Sequence, residues 1–453
     1  MRKGGIERRC SLGTSAGRRA ARRLATAGLL LVAVPNGCVT GASAAAGEER
    51  RARSANVEPG ISVLLSDSIA LVRGKRVGLL TNQTGVDRRG ESDVDLLLSD
   101  RRAKAAGVRL VALFSPEHGI RGTEDREHIA SGVDARSGLP IHSLYAATVI
   151  APPDSTLRGL DALLFDLQDV GTRTWTYVGN LVYALRAAKR NGVRLIVLDR
   201  PNPLTGAEEN GPVLDSTIAN ADESAPGRPA LPYALYPLPL RHGMTMGELA
   251  RFYNSELGIG ADLVVVPMRR WRRELWFDET GLPWTRPSPN LPTLTSAIVY
   301  PALVALEATN VSVGRGTDIA FQHFGAPWLD ARRTAGMLNE RGLAGVRFEP
   351  ETFTPRRPGD GKYADRTIPG VRVVVTARSR VHVGRLGAAI VWALGRVGGD
   401  SLRVDARAFD LRFGSPAARQ ALLRGDDPDG VVDRSLPEVV AFHERARRYY
   451  LYR

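Results

Sequence analysis

The sequence predicts a mostly parallel, doubly wound α/β sheet followed by a smaller α+β domain, and three observations carry that prediction. Short apolar runs in LVALFSPEHGIRG (110–122), LDALLFDLQDVGTRTWTY (160–177) and VRLIVLDRPNPL (193–204) have the character of strands buried on both faces. These runs alternate with stretches of helical periodicity, as in βαβ units. At 453 residues the chain exceeds one ordinary core, and the segment 282–292, with prolines at 283, 287, 289 and 292, reads as the link between two domains.

The elements follow in order. A strand over 76–81 enters the turn Asn82-Gln83-Thr84-Gly85, and 92–106 places Val94, Leu97, Leu98 and the stem of Arg101 at helical spacing. The strand that starts near Leu110 runs into an irregular stretch, 117–139, long enough to be functional. A strand over 162–166 leads to a helix over 176–191, stopped by Asn191-Gly192; a strand over 193–198, a helix over 245–257 and a strand over 261–267 complete the sheet. Beyond the link, helices are expected near 297–308, 329–341, 386–396 and 436–450, with strands at 346–348 and 371–376.

Residues 1–46 combine a basic start, an apolar run at 24–34 and an Ala-rich exit, which reads as a secretory signal peptide. Cys38 is a candidate lipidation site and hence a possible membrane anchor, and paired arginines also allow twin-arginine export. The expected location is therefore periplasmic or extracellular, free or as a lipoprotein. A polar tether over 47–58 is expected to be disordered, the sheet domain to cover 59–285 and the second domain 293–453. The leader holds eight Lys/Arg against Glu7, half of the formal net charge of +14. What remains is scattered and aromatics are sparse, so no nucleic-acid partner is indicated. Cys10 and Cys38 are the only cysteines, which leaves the mature chain without a disulfide, a thiolate nucleophile or a zinc–cysteine site.

In open α/β sheets the carboxyl ends of the strands line the ligand crevice, so Glu117, His118, Asp166, Asp169, Arg173, Asp199 and Asn202 are expected to converge there. Glu117, between Pro116 and Gly119, suits a general acid whose pKa partial burial would raise. In the Asp166–Arg173 turn either aspartate has the chemistry of a base, nucleophile or charge stabiliser, with Arg173 as an anion clamp; the same pattern also describes a capping Asp paired with a nearby Arg, and one of the two should play that part. Asp199 and Asn202 suit ligand hydroxyls or a plain turn. Gly314-Arg315-Gly316 sets an arginine where backbone approaches a ligand closely. Trp271, Trp276, Trp284 and Trp328 fit core packing better than sugar stacking. No G-x-G-x-x-G after a strand, P-loop, G-x-S-x-G or H-E-x-x-H occurs, so no cofactor is indicated. A hard-metal site built from Glu117, Asp166 and Asp169 is the second-ranked chemistry.

At these residues the chain resembles the NamZ family of exo-β-N-acetylmuramidases. The matching pieces are LLTNQTGVD (79–87), LFSPEHGIRG (113–122), SGLPIHSLY (137–145), FDLQDVGTRTWTY (165–177), DRPNPLTG (199–206), RHGMTMGELA (241–250), WFDETGLPWTRPSPNLPTL (276–294), EATNVSVGRGT (307–317) and FGAPW (324–328). The resemblance implies a Rossmann-like catalytic domain, an auxiliary C-terminal domain, and release of N-acetylmuramic acid from non-reducing ends of peptidoglycan-derived muramyl saccharides. Carried over by motif, Glu117 is the catalytic acid and His118 its neighbour, with Asp166 or Asp169 across the cleft and Asn82, Tyr177, Asp199 and Asn202 on the substrate. Arg121, Arg173 or Arg315 would bind the lactyl carboxylate that distinguishes the muramyl sugar. Asp318 and Gln322 depart from the family's Thr and Glu, and Asn210 from a common acidic residue. The alternatives are a metal-dependent hydrolase on the same acidic strand ends and a non-catalytic cell-wall binding protein.

Overall fold

The computed structural model describes residues 55–121, 130–145, 151–219 and 232–453. The expected signal peptide, Cys38, most of the tether, and residues 122–129 of the long loop lie outside these residues. Among the described residues the strands are β1 (Arg76–Thr81), β2 (Arg109–Ser115), β3 (Gly132–Val133), β4 (Pro140–Ser143), β5 (Ala162–Asp166), β6 (Arg194–Leu198), β7 (Asn210–Val213), β8 (Pro239–Arg241), β9 (Leu263–Val266), β10 (His323–Gly325), β11 (Val346–Phe353) and β12 (Ile368–Val375).

Seven of them form one sheet in the order β3-β4-β2-β1-β5-β6-β9, parallel throughout except where β3 runs against β4. The chain builds outward from β1 through β2 to β4, returns to β5, and builds the other way through β6 to β9, so β1 and β5 flank the topological switch point. This is the expected doubly wound, Rossmann-like arrangement. β5 is buried at all five residues and β6 at four of five, as strands covered on both faces must be.

Alternation along the strands sorts their side chains into two cores. Val77, Leu79, Leu113, Leu164 and Ile196 pack on one face with the helices Gly60–Ser66 and Asp93–Ser99. Leu80, Phe114, Leu163, Phe165 and Val197 pack on the other with the helices Thr176–Asn191 and Met246–Glu256. Removing one such ring, as in Phe165→Ala, should cost about 3–5 kcal/mol. The helical periodicity at 92–106 is realised as two helices, Asp93–Ser99 and Arg101–Ala105, because Asp100 leaves helical geometry and accepts hydrogen bonds from the backbone N–H groups of Arg102 and Ala103.

The second part is an antiparallel sheet, β10-β12-β11, set among helices, of which Val383–Gly398 is the longest. Its core is continuous with the Phe165 face of the first sheet, and the described residues make one compact unit. β7 and β8 pair as a separate ribbon. Two expectations about connections change. Residues 55–58, the end of the tether, are tied by backbone hydrogen bonds to Arg269, Glu279 and Thr280, because Val57 is fully buried beside Met268 and Trp271. The Pro-rich segment is more than a link: Gln83 Nε2 donates to the Arg286 carbonyl at 2.8 Å and Tyr177 Oη to that of Pro287 at 3.1 Å, which presses the segment onto the strand ends.

Candidate active site

A cleft of about 330 Å³ opens beside the carboxyl end of β2. It is lined by Glu117 and His118 from the turn after β2, Tyr145 after β4, and Thr174–Thr176 leading into the helix Thr176–Asn191. Ser288, Asn290 and Leu291 of the Pro-rich segment form another side. The second part of the chain completes it with Tyr300, Glu307, Arg315, Phe321, Asp360 and Arg412.

Glu117 is half-buried, and its carboxylate is fixed at both oxygens: Tyr145 Oη donates to Oε1 at 3.2 Å and Thr176 Oγ1 to Oε2 at 2.8 Å. Among the described residues no cation pairs with it. A carboxyl held in place by hydroxyls beside an open volume has the placement of a general acid or base. His118, next to it, has φ +71°, a left-handed conformation that costs a non-glycine residue about 1–2 kcal/mol and that concentrates at functional turns.

A second group of charges surrounds Glu307. Arg315 Nε and Nη2 both reach its Oε1, at 2.9 and 2.5 Å, and Arg412 Nε lies 3.8 Å from Oε2. Burial pushes the pKa of Glu307 up, but Arg315, Arg412 and Lys362 more than offset that and hold it below the usual carboxylate range. The Arg315 loop needs its glycine: Gly314 has φ +77°, and a Cβ there would sit 2.1 Å from the His323 ring.

The strand-end residues do not all converge. Glu117, His118 and Arg315 line the cleft, but Asp166, Asp169, Arg173, Tyr177, Asn82, Asp199 and Asn202 lie behind it. Asp166 is fully buried and ion-paired with Arg200 at the switch point, in contact with Asp93. Burial, reinforced by the charge of Asp166, raises the pKa of Asp93 well above the usual value, and Arg200 acts against that rise. The loop 282–285 closes over this cluster. Asp169 Oδ2 accepts from the Gly171 backbone N–H at 2.6 Å and lies 3.3 Å from His242 Nε2, a structural role but not the capping aspartate paired with a nearby arginine that the sequence allowed.

Arg173 does not itself line the cleft. Its guanidinium donates to the carbonyls of Tyr233, Leu411 and Arg412, and burial pushes its pKa down to about 10. Asp199 accepts hydrogen bonds from Arg200 N, Gly247 N, Thr245 Oγ1 and Tyr452 Oη, and burial lifts its pKa to about 7. Asn202 donates to the Met244 carbonyl. Asn82 donates to Tyr177 Oη at 2.7 Å, which makes both residues braces of the Pro-rich segment. Arg121 is exposed and paired with Asp134 at 2.5 Å.

Among the described residues no three His, Cys, Asp or Glu side chains group as a metal site, and Glu117 is separated from the committed carboxylates of Asp166 and Asp169. Gln322, at one departure from the family pattern, donates to Thr293 Oγ1 and Ser296 Oγ, while Asp318 is exposed. Trp271, Trp276 and Trp284 are packed against Tyr452, Arg378 and Phe277, and the cleft indole is Trp175.

Several cleft residues escaped sequence reasoning. Tyr145 follows the short strand β4 and obeys the same strand-end rule as Glu117. Glu307 opens the EATNVSVGRGT motif eight residues before Arg315. Arg412, in the remote helix Ala406–Phe413, carries no local signal.

Known proteins match this arrangement along most of the chain. A family model described as exo-β-N-acetylmuramidase NamZ, N-terminal, covers residues 77–295, and its C-terminal counterpart covers 298–452. The chain belongs to the NamZ family. Peptidoglycan β-N-acetylmuramidase NamZ of Bacillus subtilis (strain 168) is 36% identical over 419 residues, covering 92% of this chain and 96% of that protein. Two crystal structures of DUF1343 family proteins from Bacteroides fragilis NCTC 9343 are also similar. One has a TM-score of 0.77 at 32% identity and the other 0.66 at 27%, each covering 88% of this chain and 99% of its own. This NamZ-family member is accordingly a glycoside hydrolase.

Proposed function

We propose that the enzyme is exo-acting and releases N-acetylmuramic acid from the non-reducing ends of peptidoglycan fragments, with Glu117 protonating the departing glycosidic oxygen. The observation that supports this reading is the setting of Glu117, a carboxyl in the cleft wall with hydroxyl partners and, among the described residues, no cation. The family match supplies the substrate class. The cleft volume, at the lower end for small-molecule sites, suits one terminal sugar better than a length of strand.

Glycoside hydrolysis also needs negative charge or an internal nucleophile against the oxocarbenium-like transition state. Asp166 and Asp169 are committed to Arg200 and to Gly171 and His242, and Glu307 and Asp360 each face a cation. The 2-acetamido group of the substrate fills that role, attacking the anomeric carbon while Glu117 protonates the leaving oxygen. Glu117 then returns as base to the incoming water, and the β anomer is retained.

The test is incubation of the purified enzyme with the disaccharide N-acetylmuramyl-β-1,4-N-acetylglucosamine, with the product followed by proton NMR. Free N-acetylmuramic acid appearing first as the β anomer is expected. Release of the α anomer would overturn the acetamido step, and internal cleavage of long glycan the exo assignment.

The leader supports export of the enzyme to where peptidoglycan lies. Mass analysis of the mature N-terminus should show cleavage near Ala46, and an acylated Cys38 would make it a lipoprotein instead.

A further inference from the structure

We propose that Arg412 is the residue that selects the muramyl sugar by binding its lactyl carboxylate, and that Arg173 is the positioning residue that holds Arg412 at the cleft; this rests on the muramidase reading above and adds the groups that would enforce it. Arg412 lies on the last turn of the helix Ala406–Phe413 and lines the cleft with its side chain 23% exposed. Its Nη1 donates to the Ala408 carbonyl at 3.1 Å, its Nε lies 3.8 Å from Glu307, and its guanidinium sits over the Tyr233 ring with 5.0 Å to the centroid. Among the described residues Nη2 has no hydrogen-bond acceptor. The planar group is therefore fixed on three sides and keeps a donor for an incoming anion.

The donor left on Arg412 suits a negative guest. Around it the described residues place Arg315 and Lys362 as cations and Glu117, Glu307 and Asp360 as carboxylates, and Lys362 is held by the carbonyls of Leu306, Glu307 and Val311. Glu307 is bound closely by Arg315 and lies 3.8 Å from Arg412 Nε, so it does not occupy the outer edge of the Arg412 guanidinium. A substrate carboxylate would accept charge-assisted bonds from Arg412, while N-acetylglucosamine, which lacks the lactyl group, would leave that donor unused.

Arg173 explains how a side chain from the far end of the sequence is set at this spot. Its Nη1 and Nη2 donate to the carbonyls of Leu411 and Arg412, both at 2.9 Å, and these are orphan carbonyls of the helix end that carries Arg412. The next residues after Arg173, Thr174–Thr176, form the cleft wall and include the hydroxyl that holds Glu117. One buried cation thus joins the proton-donor side of the cleft to the anion-reading side.

The experiment compares kcat/KM on aryl β-N-acetylmuramide and aryl β-N-acetylglucosaminide for wild type, Arg412→Gln, Arg412→Lys, Arg173→Gln and Arg173→Lys. In Arg412→Gln the muramide-to-glucosaminide ratio should fall roughly tenfold to a hundredfold, through KM, as expected for one charge-assisted contact. Arg412→Lys should be intermediate. Arg173→Gln should lower the same ratio, Arg173→Lys should recover part of it, and the Arg173→Gln/Arg412→Gln double variant should be no worse than Arg412→Gln alone. A ratio within twofold of wild type in Arg412→Gln overturns the proposal. Fully additive losses in the double variant, or an Arg173→Gln loss confined to kcat, overturn the positioning role. If wild type turns over neither glycoside, the muramidase reading itself fails. Calorimetric binding of the two free sugars then decides separately: a preference for N-acetylmuramic acid lost in Arg412→Gln upholds the inference, and a preference that is absent or survives the substitution overturns it.

Discussion

Glu117→Gln isolates the proton from the shape that holds it. The amide keeps the volume and can still accept from one of the two hydroxyls, while the other, from Tyr145 or Thr176, turns to accept from the new NH₂. The two hydroxyl bonds are rearranged rather than lost, at a cost of about 1 kcal/mol each at most and a melting shift of a few degrees. Activity should suffer far more, because general-acid help is worth ~10²–10⁴ in rate, about 3–5 kcal/mol of barrier. The size of the effect should depend on the leaving group. A sugar hydroxyl cannot depart without the proton, so turnover of the disaccharide should fall to the full extent. A nitrophenyl muramide leaves as an acidic phenol and should lose less. Steady-state kcat/KM on both substrates, with circular dichroism and melting as fold controls, reads this directly. Equal losses on the two substrates, or a loss below tenfold on the disaccharide, would show that the donor is another group.

Other predictions concern the framework behind the cleft. Asp199, with a folded pKa lifted by burial to about 7, binds a proton that the unfolded chain has released by then. The stability it contributes is fully present below about pH 4 and lost as pH rises to 7, about 4 kcal/mol in all; in Asp199→Asn the melting temperature should fall less between pH 5 and 8 than in wild type, and an identical slope would refute the shift. Arg200→Met strands the buried carboxylate of Asp166, and urea titration should show a loss of about 3–5 kcal/mol, well beyond the loss of side-chain packing. Gly171→Ala forces a side chain onto a residue with φ +75° and sets its Cβ 2.4 Å from Asn202 Oδ1; thermal melting should show a cost of at least ~1 kcal/mol, and a neutral outcome would mean that the turn yields freely.

The parts of the fold that could be read from sequence are those where one local pattern decides the outcome. β5 and the helix Thr176–Asn191 fall where periodicity puts them, since a strand covered on both faces must be continuously apolar and Gly192, at φ +64°, ends the helix as only a permissive residue can. The sequence shows no sign of β4, because a strand of four residues with a leading proline, between β2 and the two-residue β3, is held by its backbone and leaves little trace in its side chains. At the site the same limit appears in sharper form. Glu117 and Asp166 have the same signature, an acid at the end of an apolar strand, yet one faces the cleft and the other closes on Arg200, 34 residues further on. Local sequence shows that a carboxylate sits at a strand end but not which distant cation reaches it. Glu307 and Arg412 meet for the same reason, through tertiary contact between segments about a hundred residues apart.

The continuity of the apolar interior across residue 296 has a practical meaning for anyone dissecting this enzyme. A cut there follows the seam between the two recognised sequence modules, but it runs through shared packing and leaves Glu117 on one fragment with Glu307, Arg315 and Arg412 on the other. Each fragment would carry a raw hydrophobic flank and half a binding site, so expressed singly they should aggregate, and only co-expression offers a route to reassembly.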